Sequence, residues 1–97
     1  MTSAERILVV DDDLVARKAL RRILSHDGYE IRTVSSGAEA IDAMAREPFQ
    51  VVMTDLLMEP MNGLELLSKI KKIDADTEVI MMTGYGSVDV AVEAIKK

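Results

Sequence analysis

Four strand-like segments, Arg6–Val10, Glu30–Val34, Val51–Asp55 and residues 78–83, alternate with stretches of helical periodicity along a chain of 97 residues. That alternation constrains the fold more than any other feature. Strand and helix in strict alternation predict a parallel sheet with right-handed crossovers and helices on both faces. Two of the strands are nearly continuous apolar runs, the pattern of parallel strands buried on both sides. Those at 6–10 and 51–55 also run into acid: Asp11, Asp12 and Asp13 follow the first, and Asp55 closes the second. Neighbouring parallel strands deliver their C-terminal ends to one edge, so three or four carboxylates should meet in one crevice. Their repulsion is costly unless a cation or a reaction uses it.

The helical stretches carry their own signals. Asp13 is placed to cap a first helix whose inner face is Ala16, Ala19, Leu20, Ile23 and Leu24, and Gly28 stands where a left-handed C-terminal residue belongs. Ser36 and Glu39 form a capping-box pattern before a second helix facing inward with Ala40, Ile41, Met44 and Ala45, which Pro48 ends. Asn62-Gly63 punctuates a loop before a third helix carrying Leu64, Leu67 and Ile70. Ser87 opens a fourth, with Ala91, Val92 and Ile95 turned inward.

A length of 97 residues allows one domain. The net charge of −5 argues against nucleic acid as a direct partner. Basic residues do cluster, at Arg17, Lys18, Arg21 and Arg22 and at Lys69, Lys71 and Lys72, but each cluster lies within one helix and reads as a solvated face. No apolar run reaches membrane-spanning length, so no membrane role is expected and the cytoplasm is the default compartment. Cysteine is absent, which removes thiolate metal sites.

The crevice therefore offers hard oxygen donors alone, a set that suits Mg²⁺ or Mn²⁺. Capping needs one acid of the triplet, and Asp13 fills that role; Asp11, Asp12 and Asp55 remain. Thr83 and Gly84 end the fourth strand at the same edge, where ligands of open α/β sheets bind. A hydroxyl there is placed to bond an oxygen of whatever the acids hold. His26 reads as a surface residue at a helix C-terminus, and the seven methionines as adaptable core filler.

The runs Ile-Leu-Val-Val-Asp-Asp-Asp, then Asp55 with Met58, Met61, Asn62 and Gly63, then Val-Ile-Met-Met-Thr-Gly, resemble the receiver domain of two-component response regulators. The resemblance extends from residue 6 to residue 97. It implies a flavodoxin-like, doubly wound parallel sheet with four βα units in strand order 2-1-3-4, the fifth βα unit being absent. It implies that Asp55 accepts a phosphoryl group from a histidine kinase phosphohistidine. Asp11 and Asp12, with Asp55 and the main-chain carbonyl of Leu57, would hold Mg²⁺, and Thr83 would be the switch hydroxyl. The implied partners are a sensor histidine kinase or phosphotransfer protein on one side and an output domain or downstream protein on the other.

The chain departs from the family in three places. The loop reads Met58-Glu59-Pro60-Met61, with proline one place late, so that it should bend differently and bring Glu59 to the rim. Leu57 and Tyr85 flank the site without a polar group to orient a hydrolytic water. The family's fifth-strand lysine has no counterpart, since Lys96 and Lys97 lack its context, so residues 1–97 read as a single receiver domain, C-terminally incomplete. The chain is then expected either to self-associate, through the exposed edge of the fourth strand or by exchanging its terminal helix, or to be the ordered part of a longer protein. Two other readings stand beside the signalling one. A Mg²⁺-dependent phosphohydrolase with an aspartyl nucleophile would carry an acid two residues on, where this chain has Leu57. A truncated scaffold or fragment with impaired phosphorylation is the other.

Overall fold

The computed structural model describes residues 5–82. Seven elements follow one another: β1 (Arg6–Val10), α1 (Leu14–His26), β2 (Glu30–Val34), α2 (Gly37–Arg46), β3 (Val51–Asp55), α3 (Gly63–Ile73) and β4 (Glu78–Met82). The strands form one parallel sheet in the order β2-β1-β3-β4, as the resemblance implied. Register aligns the strand ends. Val10 lies beside Val34 on β2 and Thr54 on β3, and Asp55 lies beside Met82 on β4. The expected continuation of β4 to Thr83, and the helix expected after Ser87, lie outside the described residues.

Alternation along the strands divides the sheet into two unequal faces. Leu8, Val10, Val34, Val52, Val79 and Met81 join Ala40, Ala43 and Met44 of α2 and Leu66 and Ile70 of α3 in one buried cluster. Each fully buried Leu or Ile there contributes about 1.5–3 kcal/mol. On the other face α1 packs over β1 and β2, so β1 is buried on both sides. β3 and β4 are not: Val51, Met53, Ile80 and Met82 are only half-buried. The expectation of strands buried on both faces thus holds for β1 and is corrected for β3.

Helix boundaries follow local chemistry. The Asp13 carboxylate accepts from the Val15 N–H at 3.0 Å and caps α1, a contact worth about 1 kcal/mol. Gly28 sits at φ +89° just past its C-terminus, and its N–H returns to the Ser25 carbonyl. Ser36 caps α2 by accepting from the Glu39 N–H, but the reciprocal bond expected of a capping box goes one residue upstream, from the Ser35 N–H and hydroxyl to the Glu39 carboxylate. The complete capping box is at α3, between Asn62 and Glu65, where the sequence pattern shows only turn punctuation.

Inner faces are also rotated from the sequence reading. α2 buries Gly37, Ala40, Ala43 and Met44, leaving Ala45 exposed and Ile41 partly covered. α3 buries Gly63, Leu66 and Ile70, and Leu64 is exposed. No residue of α1 is fully buried: Ala16, Leu20 and Leu24 are half-covered, while Ala19 and Ile23 face solvent. At the N-terminal ends of the strands Arg6 pairs with Glu30 and Glu47, and Arg32 with Glu47, at 3.0–3.2 Å. Such solvated pairs contribute about 0–1 kcal/mol each.

Candidate functional site

The opposite, C-terminal edge of the sheet gathers the acids. β1 ends at Val10 and hands Asp11 and Asp12 to the loop before α1, while β3 ends on Asp55 itself. Carboxylate oxygens of Asp11, Asp12 and Asp55 all lie within 4.8 Å of one another. Asp11 is buried, Asp55 half-buried and Asp12 exposed, so the cluster is open to solvent on the Asp12 side. The Asp13 side chain turns instead to the helix N-terminus, as the sequence reading had it.

Each strand-end acid is fixed by backbone. Asp11 Oδ1 accepts from the Asp13 N–H at 2.9 Å, and the Asp11 N–H donates to the Val34 carbonyl at 3.2 Å. Asp55 Oδ1 accepts from the Leu57 N–H at 3.2 Å. The Leu56 N–H donates to the Met82 carbonyl at 2.7 Å, and the Gly63 N–H to the Leu56 carbonyl at 3.0 Å, which ties the loop beyond Asp55 to β4 and α3. Leu57 is apolar and 69% exposed. The Glu59–Pro60 peptide is cis, and Glu59 is exposed.

Burial pushes the Asp11 carboxyl above its ordinary range. The Asp13 N–H opposes this, and the charges of Asp55, Asp12 and Asp13 add to the rise. At Glu39 the sign is reversed: the Ser35 hydroxyl and N–H hold its carboxyl below the usual value against some desolvation, helped in lesser measure by Ser36 and Arg17. Among the described residues no lysine or arginine forms an ion pair with Asp11, Asp12 or Asp55. Three mutually repelling carboxylates with all-oxygen donors fit a hard divalent cation, which would lower the cost of ionising Asp11.

Of the expected site residues, Asp11, Asp12 and Asp55 are brought together, and Leu57 is joined to Asp55 through its N–H. Thr83, together with Gly84, Tyr85, Lys96 and Lys97, lies outside the described residues. Two neighbours of the cluster were not anticipated. Arg17, read as part of a solvated face, is half-buried, and its Nη1 donates to the Asp11 carbonyl at 2.7 Å. Gly63, read only as turn punctuation, packs so tightly that an added Cβ would lie 2.6 Å from the Asp55 carbonyl oxygen. An arginine in the second turn after a strand-end acid is the available signal for the first; nothing in the pattern marks the second.

The profile of the response regulator receiver domain family matches residues 7–97. Sporulation initiation phosphotransferase F of Bacillus subtilis (strain 168) is 34% identical over 90 residues, covering 93% of this chain and 73% of that protein. Transcriptional regulatory protein ZraR of Klebsiella oxytoca is 39% identical over 90 residues, which is 93% of this chain and 20% of that protein. The chain thus spans about a fifth of the length of such regulators. A solved structure of histidine kinase ThkA in complex with response regulator protein TrrA is similar with a TM-score of 0.79 and 36% identity, over 87% of this chain and 72% of that one. Sheet order, the acids at its C-terminal edge and a profile match from residue 7 to residue 97 agree: the chain belongs to the response regulator receiver domains, the signalling modules of two-component phosphorelays.

Proposed function

We propose that residues 1–97 act as one receiver unit in which Asp55 accepts a phosphoryl group from the phosphohistidine of a sensor kinase or phosphotransfer protein. The observation that carries this reading is the convergence of Asp11, Asp12 and Asp55 within 4.8 Å at the ends of adjacent parallel strands. Asp55 is half-buried at the end of β3, with one carboxylate oxygen engaged by the Leu57 N–H, which leaves the other to attack phosphorus. The oxygen–phosphorus bond forms as the donor's phosphorus–nitrogen bond breaks, and the imidazole leaves with the bonding pair. Asp11, Asp12, Asp55 and the main-chain carbonyl of Leu57 would hold Mg²⁺, or Mn²⁺, which supplies charge neutralisation between the acid crevice and the phosphoryl oxygens. Thr83 would bond those oxygens afterwards and pass the change to an output domain or downstream protein.

The module signals rather than turns over substrate. The exposed, apolar Leu57 stands where an aspartyl phosphohydrolase needs its general acid. No helix among the described residues is long and apolar enough to cross a membrane, and the reading places the module in the cytoplasm with its kinase. Incubation with Mg²⁺ and acetyl phosphate should add one phosphoryl mass to the wild type and none to Asp55→Asn. A wild type that stays unmodified would remove the proposal.

A second copy of the chain is also proposed as a partner, through the β4 edge and the apolar side chains beside it. β4 ends the described sheet, and Val51, Met53, Ile80 and Met82 are half-buried on the face that carries α1, over the strands beyond β1 and β2 on which α1 packs. Light scattering should then show a mass that rises with concentration; a monodisperse monomer throughout would rule this contact out.

A further inference from the structure

Arg17 is an unexpected residue at its position. It lies in the second turn of α1, close to the positive end of the helix dipole, where a cation is disfavoured. Side chains on a helix lean toward its N-terminus, and the Arg17 guanidinium follows that lean over the helix start to donate to the Asp11 carbonyl at 2.7 Å. Arg17 is half-buried, whereas its neighbour Lys18 is exposed.

Asp11 is thereby held at three points. Its N–H donates to the Val34 carbonyl, its Oδ1 accepts from the Asp13 N–H, and its carbonyl accepts from Arg17. The first two come from backbone that any sequence here would supply. The third comes from one side chain, and it acts on the peptide joining Asp11 to Asp12. That peptide sets where both carboxylates stand relative to Asp55, against the repulsion that drives all three apart.

We infer that Arg17 is a positioning residue for the divalent-cation site: by holding the Asp11 carbonyl it keeps the Asp11-Asp12 loop in its cation-binding geometry. This rests on the reading of Asp11, Asp12 and Asp55 as the cation ligands. Two effects of removing Arg17 have opposite signs. Loss of a positive charge near three acids, taken alone, tightens cation binding. Loss of the hydrogen bond weakens it, because partners that orient metal ligands typically carry about 10–100-fold in affinity. The sign of the change therefore separates positioning from simple electrostatics.

Titration calorimetry with MgCl₂ on the 97-residue chain tests this, with wild type, Arg17→Met, Arg17→Lys and Lys18→Met compared and melting curves recorded in EDTA. Arg17→Met should weaken Mg²⁺ binding about tenfold. Arg17→Lys, which keeps one donor, should fall between it and the wild type. Lys18→Met removes the same charge without a hydrogen bond and should bind as tightly as the wild type or slightly more so. Unchanged or tighter binding by Arg17→Met overturns the inference, as does equal weakening by Lys18→Met. If Arg17→Met does not melt cooperatively, Arg17→Lys decides: weaker binding at an unchanged melting temperature supports the role, and wild-type affinity overturns it. A wild type that binds no Mg²⁺ removes the cation site and this inference with it, whereas a binding wild type matched by Arg17→Met removes the inference alone.

Discussion

Asp11→Asn should raise the melting temperature of the metal-free protein at neutral pH and, with Asp11 as a proposed direct ligand, weaken Mg²⁺ binding on the order of 100-fold or more, beyond the loss of an orienting residue. The two effects share one cause. Burial, with the charges of Asp55, Asp12 and Asp13, pushes the Asp11 carboxyl above its ordinary range. A carboxyl raised in the folded state binds its proton more tightly there than in the unfolded chain, so its ionisation costs stability. That cost is absent below the ordinary carboxylate value, grows as pH rises through the window up to the raised value, and is complete above it. Asn is nearly isosteric and its side-chain oxygen still accepts from the Asp13 N–H, so the substitution isolates the charge. With Mg²⁺ present the order should invert, since a ligand at 100 times its dissociation constant stabilises the wild type by about 2.7 kcal/mol and the variant by far less. Thermal melts across pH, with EDTA and with Mg²⁺, read both limbs. An Asp11→Asn variant that melts below the wild type in EDTA would mean that the acid cluster carries no electrostatic cost.

What the sequence made legible depended on whether a signal was local and apolar. Strand positions and the Asp13 and Gly28 boundaries follow from hydrophobic runs and turn chemistry and stand as read over the described residues, whereas the sheet order came only with the family resemblance, which it matches. Helix faces were less legible because small residues carry no hydrophobic weight. Gly37 and Ala43 define the buried side of α2, yet Ile41 and Ala45 pulled the expected face around the helix. In α3 the capping box starts the helix at Gly63, which places Leu66 inward and Leu64 outward. The acids of the crevice were legible because two parallel strands end on them. Arg17 was not, because a basic residue amid Lys18, Arg21 and Arg22 is indistinguishable by pattern from a solvated one. Its role depends on a carbonyl, and carbonyls leave no trace in sequence.

Gly63→Ala should lower stability by roughly 2 kcal/mol, the cost typical of overpacking a filled site, which is roughly 10 °C in melting temperature for a domain of this size. In the interior of a helix the same change would ordinarily stabilise by up to about 1 kcal/mol. The opposite sign is expected because the added Cβ would lie 2.6 Å from the Asp55 carbonyl oxygen, 2.9 Å from Met81 Sδ and 3.0 Å from Leu56 Cα. Met81 Sδ belongs to a side chain, but the other two atoms are backbone, at the end of β3 and the start of the loop that follows Asp55. Relief therefore requires α3 to move away from Asp55 or Asp55 to move with its strand end. Phosphoryl uptake from acetyl phosphate should fall along with stability. Two other glycines provide the controls. At Gly37 the nearest atom to an added Cβ is Met61 Sδ at 2.7 Å, the end of a flexible side chain, so Gly37→Ala should cost less. At Gly28 nothing lies within 4 Å, but φ is +89°, so Gly28→Ala should cost about 1–2 kcal/mol through backbone strain and leave phosphoryl uptake unchanged. If Gly63→Ala melts and takes up phosphoryl like the wild type, the contact between the start of α3 and Asp55 is looser than its geometry requires. A loss of uptake at Gly63 without one at Gly28 would assign to that contact the placement of Asp55 as well as the packing of the helix.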